Sequence, residues 1–482
     1  NSQDTTRACF GPPPFCEMGC SAWKRAACPL VRRSIPNILA MASYVICDLV
    51  NLVAVSHTPG ATVAQINGIG MGNLMQNVVA VSFAIGVLDA LEALVPQALG
   101  MGEMRMTANF LMQGRALTML CLLWMGPVLY LTEDILTFIG QDLATAAAAG
   151  SYNRAAVWGM AFLFQNEAAR KYLVCMGRAD VGFYIGLGTS LLHCLWVYLL
   201  VFKMELANCG MGIANCILWF TMAALTNTYL FAIAPSAGLR RAWLLDVHSG
   251  LHGCLAYLRA AAPAVVVHCA EWWFWECITF VVSYLDPVQL AAHVCMLTVE
   301  TTVFMCAQGI SSTAAAMVGT SIGSGDAEVA RLHVWAAVAW TTAVSSAVGA
   351  LLWFFAGTIA NALAGVAEIR GILALLIQIY GVFGIFDALQ NVLAGVLRGC
   401  GKSGLSSRTY FACFYGMMLP GAAVAASRSR SAEGVWLVIG CGLAITTTIF
   451  GVLVSHQRFQ QLSSEMTRRM DKEKSAALLQ QG

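Results

Sequence analysis

The feature that most constrains this chain is the length and number of its apolar runs. A helix needs about 20 mainly apolar residues to cross a hydrocarbon core of about 30 Å. By that ruler about twelve runs qualify, near 35–57, 68–95, 111–131, 151–174, 181–203, 209–234, 258–285, 289–318, 332–360, 370–397, 406–426 and 434–455. Lipid offers no partners to backbone N–H and C=O groups, so a spanning segment is either a helix or a strand of a closed barrel. Runs this long read as helices. The expected fold is an all-α polytopic membrane protein. Composition agrees, with 59% hydrophobic and 11% charged residues, where soluble domains are nearer half and a quarter.

Basic residues set the expected orientation. If the amino terminus is cytoplasmic, its side collects Arg32 and Arg33, Arg105, Arg178, Arg240 and Arg241, Arg331, Arg398, Lys402 and the tail. The opposite side keeps Arg154, Lys203, Arg370, Arg428 and Arg430. Both termini are then cytoplasmic, which requires an even number of spans.

The two halves echo each other. QALGMGEMRMTANF at 97–110 lies over TSIGSGDAEVARLH at 320–333, pairing Gly100 with Gly323, Gly102 with Gly325 and Glu103 with Asp326. CMGRADVG at 175–182 and GCGKSG at 399–404 form a weaker echo. Each lies where an apolar run exits. Six spans return the chain to its starting side, so the copies are expected as two six-helix bundles related by a pseudo-twofold axis along the membrane normal, an architecture of transporters. The expected division is a cytoplasmic tail over 1–34, bundles over 35–234 and 258–455, a cytoplasmic connector over 235–257, and a basic amphipathic tail over 456–482. In that last tail Phe459, Leu462, Met466 and Met470 fall at helical spacing among Arg458, Arg468, Arg469 and Lys472, suiting either a helix on an anionic leaflet or an unstructured basic segment.

Several classes of chemistry find no support. The 18 cysteines include no CxxC pair and mostly sit in apolar runs, where they read as small packing residues rather than disulfides or metal ligands. The GxG exits lack the Lys and Ser/Thr of a phosphate loop; glycine there suits positive φ or close packing. A net charge of +2 gives no reason to expect nucleic acid. The chain begins at Asn1, and its first thirty residues contain no apolar h-region of the signal-peptide kind.

The informative stretch is HCAEWWFWECITF at 268–280, where Glu271 and Glu276 stand among three tryptophans and two phenylalanines. At 100° per residue the two acids point about 140° apart. Glu271 shares its face with His268 and Trp275, and Glu276 with Trp272. A charged carboxylate at mid-bilayer costs about 2.5–3.5 kcal/mol, so an acid kept there needs a reason. Such a carboxylate can hold either a proton or an organic cation but not both well, and indole faces from Trp272 and Trp273 add about 0.5–2 kcal/mol each to a resting cation. The blander readings are helix-to-helix hydrogen bonds for the acids and core or lipid-facing packing for the indoles. Asp387 stands mid-run in GVFGIFDALQNVLAG with no Lys or Arg close in sequence. Glu92 reads equally as a bundle-packing acid accepting from backbone or Gln97, and Asp89 as a sign of a wet stretch. His268 is either a proton relay to Glu271 or a hydrogen-bonded core histidine; His193 and His293 read as structural. Beside Glu271, His268 lacks the nucleophile or metal cluster that an enzyme would need.

These stretches together resemble the multidrug and toxin extrusion (MATE) family, most closely its eukaryotic branch. The likeness rests on APAVVVHCAEWWFWE in the seventh span, ALEALVPQALGMG in the second, GISSTAAAMVGTSIGSGDAEVA after the eighth and DALQNVLAGVLRGCG in the tenth. It covers nearly the whole chain, from Pro36 to about Ser455. The resemblance implies a V-shaped pair of bundles that exports organic cations, usually in exchange for protons. It implies that Glu271 is a cation and proton site, Glu276 the second glutamate of that motif, Asp387 the acid of helix ten with Gln390 and Arg398 following, and Glu92 the acid of helix two. Arg398 would then anchor the helix end at the cytoplasmic interface. Three departures stand out: Ala307 replaces a proline that bends helix eight, Ser56-His57 stands where Gly-His is usual, and Asn51 stands where bacterial members carry an acid, with Asp48 one turn earlier. The expected partners are small organic cations, protons or sodium, and the lipid bilayer, with no cofactor and a monomeric chain in the plasma or an internal membrane. The alternatives are a carrier of organic acids or of a lipid-linked intermediate.

Overall fold

The computed structural model describes residues 20–56, 62–233, 253–364, 366–465 and 468. They form helices and short connections. The long rods are α1 (Cys20–Ser56), α2 (63–100), α3 (Met104–Tyr130), α4 (143–175), α5 (Ala179–Lys203), α6 (207–233), α7 (Cys254–Val282), α8 (Pro287–Gly323), α9 (Ala327–Leu363), α10 (Ala367–Gly399), α11 (Ser403–Ser429) and α12 (Ala432–Ser455). A short helix, Thr132–Phe138, follows α3 at a bend of 58°. Among the described residues nine helices are long and apolar enough to cross a membrane, or ten if that bent pair is one span. Rod α4 falls outside this group: a tight turn at Val157–Gly159 divides it, and it carries Arg154, Glu167, Arg170 and Lys171.

Most rods run past the expected spans, because helical caps rather than hydropathy set their ends. Four exits share one stop. The N–H of Gly102, Gly177, Gly325 and Gly401 each bonds a carbonyl three residues back, and the next residue's N–H reaches five back, as in Glu103 to Ala98 at 2.9 Å and Lys402 to Leu397 at 2.8 Å. All four glycines have positive φ, between 70° and 84°. This is the Schellman stop, open to glycine at no steric cost, and it accounts for both sequence echoes. Asp326, after one such stop, caps α9 by accepting from the Val329 N–H at 3.1 Å. Asp286 caps α8 ahead of Pro287. Rod α8 is continuous through Ala307, where the family's proline is absent.

The described residues gather into two compact units. One comprises Asn1–Ile38, Glu92–Glu103 and Trp273–Gly482; the other comprises Leu39–Leu91 and Met104–Trp272. The first has a core of Ala292, Met296, Leu373, Leu376, Ile377, Tyr380 and Trp436, where α8, α10 and α12 pack. The second has a core of Met75, Ala84, Met125, Leu129, Met160, Phe164 and Met222 from α2, α3, α4 and α6. In the first unit α2 ends against α8 with no room for side chains. A Cβ on Gly100 would strike the Thr320 carbonyl, and one on Gly323 would strike the Gln97 carbonyl.

Three expectations need correction. Asp89 is fully buried, not a mark of a wet stretch. Arg398 is 7% exposed and paired inside the unit, not an anchor in water. Phe459 and Leu462 are buried against the protein, and Lys402 Nζ lies 3.3 Å from Glu465, so this part of the tail packs on the protein. Met466, Met470, Arg469 and Lys472 lie outside the described residues, as do His57 and most of the connector, including Arg240 and Arg241.

Candidate functional site

Asp387 lies in the middle of α10 and is 2% exposed. One carboxylate oxygen accepts from the Tyr380 hydroxyl at 2.9 Å, two turns earlier on the same helix, and the other from Gln390 Nε2 at 3.0 Å. Both donors are neutral. Among the described residues no Lys, Arg or His pairs with Asp387, and the buried Gln390 Oε1 has no donor. Tyr380 also packs edge-on to Trp436, which lies 5.7 Å from Trp275 of α7. Trp436 Nε1 donates to His293 Nδ1 at 3.1 Å, and His293 Nε2 lies 3.1 Å from Thr279 Oγ1, so His293 is held in the core by two neighbours. Sequence reading missed Glu300, a buried acid of α8 that accepts from the Thr301 hydroxyl at 3.2 Å.

Glu276 belongs to the same unit and is half-buried. Among the described residues its carboxylate has neither hydrogen-bond nor ion-pair partner. Trp273 is half-buried too. Glu92 is fully buried and takes a different part: Arg398 Nε lies 3.0 Å from its Oε2. Gln97 does not serve Glu92; its Nε2 donates to the Gly399 carbonyl at 2.8 Å. Arg398 also donates to Ser311 Oγ at 3.3 Å.

In the other unit Glu271 is 6% exposed on α7. One turn earlier His268 is 5% exposed, and its Nδ1 lies 3.2 Å from Asp89 Oδ2. The other Asp89 oxygen takes the Lys171 ammonium at 2.7 Å. The half-buried Trp272 places its ring 5.0 Å from the imidazole. His268 is therefore joined to Asp89 of α2, a connection that sequence order does not suggest. On α4 the Glu167–Arg170 pair is also buried, with the Tyr44 hydroxyl donating to Glu167 Oε1 at 2.6 Å. These charges of α4 escaped the sequence reading because they lie within a run scored as apolar.

Asn51 is buried in a neutral chain of amides. His193 Nε2 lies 2.7 Å from its Oδ1, and its Nδ2 donates to Asn215 Oδ1 at 3.1 Å. Asn215 in turn donates to the Tyr152 hydroxyl at 2.8 Å, and that hydroxyl to Asn73 Oδ1 at 2.8 Å. The side chain of Asp48 lies outside the described residues. Among the described residues no group of three or more His, Cys, Asp or Glu is placed to hold a metal ion.

The MatE family model matches residues 36–199 and 263–424. Protein DETOXIFICATION 16 of Arabidopsis thaliana is 26% identical over 405 residues, which is 82% of this chain and 81% of that one. Multidrug and toxin extrusion protein 1 of Oryctolagus cuniculus is 24% identical over 420 residues, covering 87% and 73%. Among solved structures, the eukaryotic MATE transporter AtDTX14 superposes with a TM-score of 0.87 at 20% identity, over 93% of this chain and 99% of that one. The MATE transporter VcmN of Vibrio cholerae in its bent form gives 0.77 at 16% identity, over 92% and 99%. At these identities the structures speak for the fold alone.

Proposed function

The chain belongs to the MATE family of membrane transporters, and from that premise we propose that it exchanges organic cations for protons, with Glu271 and Asp387 as the coupling carboxylates. One observation carries the reading. Among the buried acids, Asp89, Glu92 and Glu167 are already neutralised by a basic side chain, whereas Asp387 meets neutral donors alone. An acid held by Lys or Arg has little to gain from a further cation. An acid without one must find its positive charge elsewhere when ionised, since an uncompensated charge inside a membrane protein is costly. A proton or an organic cation supplies it, and each excludes the other. That exclusion is the coupling of an antiporter.

Glu276 has the same freedom with more exposure, and we assign it to the approach of the cation rather than to the exchange itself. Trp272 and Trp273, both half-buried, offer ring faces to a flat cation. Glu271 is a carboxylate of the unit made of Leu39–Leu91 and Met104–Trp272, and the family motif carries its assignment. Glu92 leaves the proposed site, since Arg398 occupies it.

The test is uptake of ethidium into proteoliposomes under an imposed pH gradient, for wild type, Glu271→Gln and Asp387→Asn. Gradient-driven accumulation lost in both variants, with unchanged size-exclusion profiles, is the expected outcome. Accumulation at the wild-type rate in Asp387→Asn would sink its role. Uptake driven by sodium but not by pH would replace the coupling ion. Citrate accumulation without ethidium accumulation would replace the substrate class.

A further inference from the structure

One of the two neutral donors to Asp387 arrives by an unusual side-chain path. Side chains on a helix lean towards its amino terminus, yet the Tyr380 hydroxyl reaches Asp387, seven positions further on, at 2.9 Å. The ring passes over Gly384. A Cβ there would stand 3.2–3.5 Å from three of its atoms, so the path is open because that position is glycine. Open space permits the path without holding the ring in it. Trp436 of α12 supplies the hold, set edge-on to Tyr380 at 82° with the ring centres 6.0 Å apart.

Trp436 is itself fixed by hydrogen bonds that run in one direction. An indole N–H can only donate, so Trp436 Nε1 donates to His293 Nδ1 at 3.1 Å. The hydrogen of the neutral imidazole is then on Nε2, which donates to Thr279 Oγ1 at 3.1 Å. The Thr279 hydroxyl in turn donates to the Trp275 carbonyl at 3.0 Å. This chain joins α12, α8 and α7. Holding α8 to α12 does not require it, because Gln289 already accepts from the Ala432 N–H at 2.8 Å, one turn earlier on both helices. What His293 adds is the rotation of the indole. A hydrogen bond fixes the way a ring faces, whereas apolar contact only fills the space around it.

We infer that His293 and Gly384 are positioning residues of the exchange. His293 orients Trp436, Trp436 and the gap at Gly384 hold the Tyr380 ring, and the Tyr380 hydroxyl stays on Asp387 while proton and cation replace each other. Their role rests on the reading of Asp387 given above, so the two are tested in sequence.

Ethidium exchange in proteoliposomes is measured first for Asp387→Asn, where wild-type exchange would remove the Asp387 reading and this role with it. With Asp387→Asn inactive, Tyr380→Phe should lower kcat/KM about tenfold or more, the effect of losing one hydrogen bond to a charged group. His293→Phe and Gly384→Ala should each give a similar loss. Because both act through the hydroxyl, adding either to Tyr380→Phe should lower kcat/KM no further. His293→Gln, whose amide can accept and donate at the same two points, should recover most of the rate. Losses that multiply in the double variants, or wild-type exchange in either His293→Phe or Gly384→Ala, would overturn the positioning role and leave Asp387 in place. If His293→Phe does not fold, Gly384→Ala carries the same cycle alone. Solid-state NMR with ring-15N histidine gives a check that needs no transport: the signal missing from His293→Gln should carry its hydrogen on Nε2. A hydrogen on Nδ1 would overturn the chain.

Discussion

Arg398 shows how far a residue's role can lie from its place in the sequence. Standing at the last turn of α10, beside Gly399 and Lys402, it has the sequence context of a helix-end anchor. In the fold it is 7% exposed, with Nε 3.0 Å from Glu92, a fully buried acid 306 positions earlier. Removing one member of a buried pair strands the other charge and costs about 3–5 kcal/mol. Arg398→Gln should therefore lower the thermal midpoint of the detergent-solubilised protein sharply, and adding Glu92→Gln should restore most of the loss. Equal damage in the single and double variants would mean the pair is not what matters. The acids themselves were legible, because a carboxylate in an apolar run is rare whatever surrounds it. Asp387 and Glu271 were found that way. Their surroundings were not: Lys171 reaches Asp89 across 82 positions, and no local pattern encodes which cation meets which acid.

At the level of the helix, apolar length located nearly every rod, while the ends came from turn chemistry. The four glycine stops appear in the sequence as repeated GxG or G-polar-x motifs, readable as exits though not as a specific hydrogen-bond pattern. The fourth rod was the hardest, since its expected start near 151 lies inside a helix that begins at Leu143. Here Ala-rich sequence continues the helix with weak hydropathy, and a ruler of apolar length stops too soon. Close packing of the helices gives a paired prediction. Gly323→Ala places a methyl against the Gln97 carbonyl and should cost about 1–3 kcal/mol by overpacking. Gly357→Ala, where a Cβ meets nothing within 4 Å, should be neutral or stabilise α9 by about 0.5–1 kcal/mol. Thermal unfolding followed by tryptophan fluorescence distinguishes them, and a matched loss in both would argue against the crowding.

For the whole molecule, the distribution of Lys and Arg makes a topological prediction independent of any site. An epitope inserted at 429–431, next to Arg428 and Arg430, should be labelled on intact cells, whereas epitopes at either end of the chain should need permeabilisation. Labelling of either end on intact cells would reverse the orientation. The doubling of the chain was legible as an offset of 223 between Gly100 and Gly323. What the offset alone could not convey is that these two equivalent positions meet: the carbon missing from each would fall on the backbone beside the other. A residue that touches its own counterpart marks the local axis of an approximate two-fold relation. Were the halves separate identical chains, one gene position would supply both sides of that contact, and any added atom would collide with its own copy. Joined in tandem, the same contact is written twice in the sequence, and a change on one side can be answered by a change on the other. Fusion thus turns the tightest point of self-complementarity into two independently mutable sites, the first place where the halves of such a chain are free to become unlike.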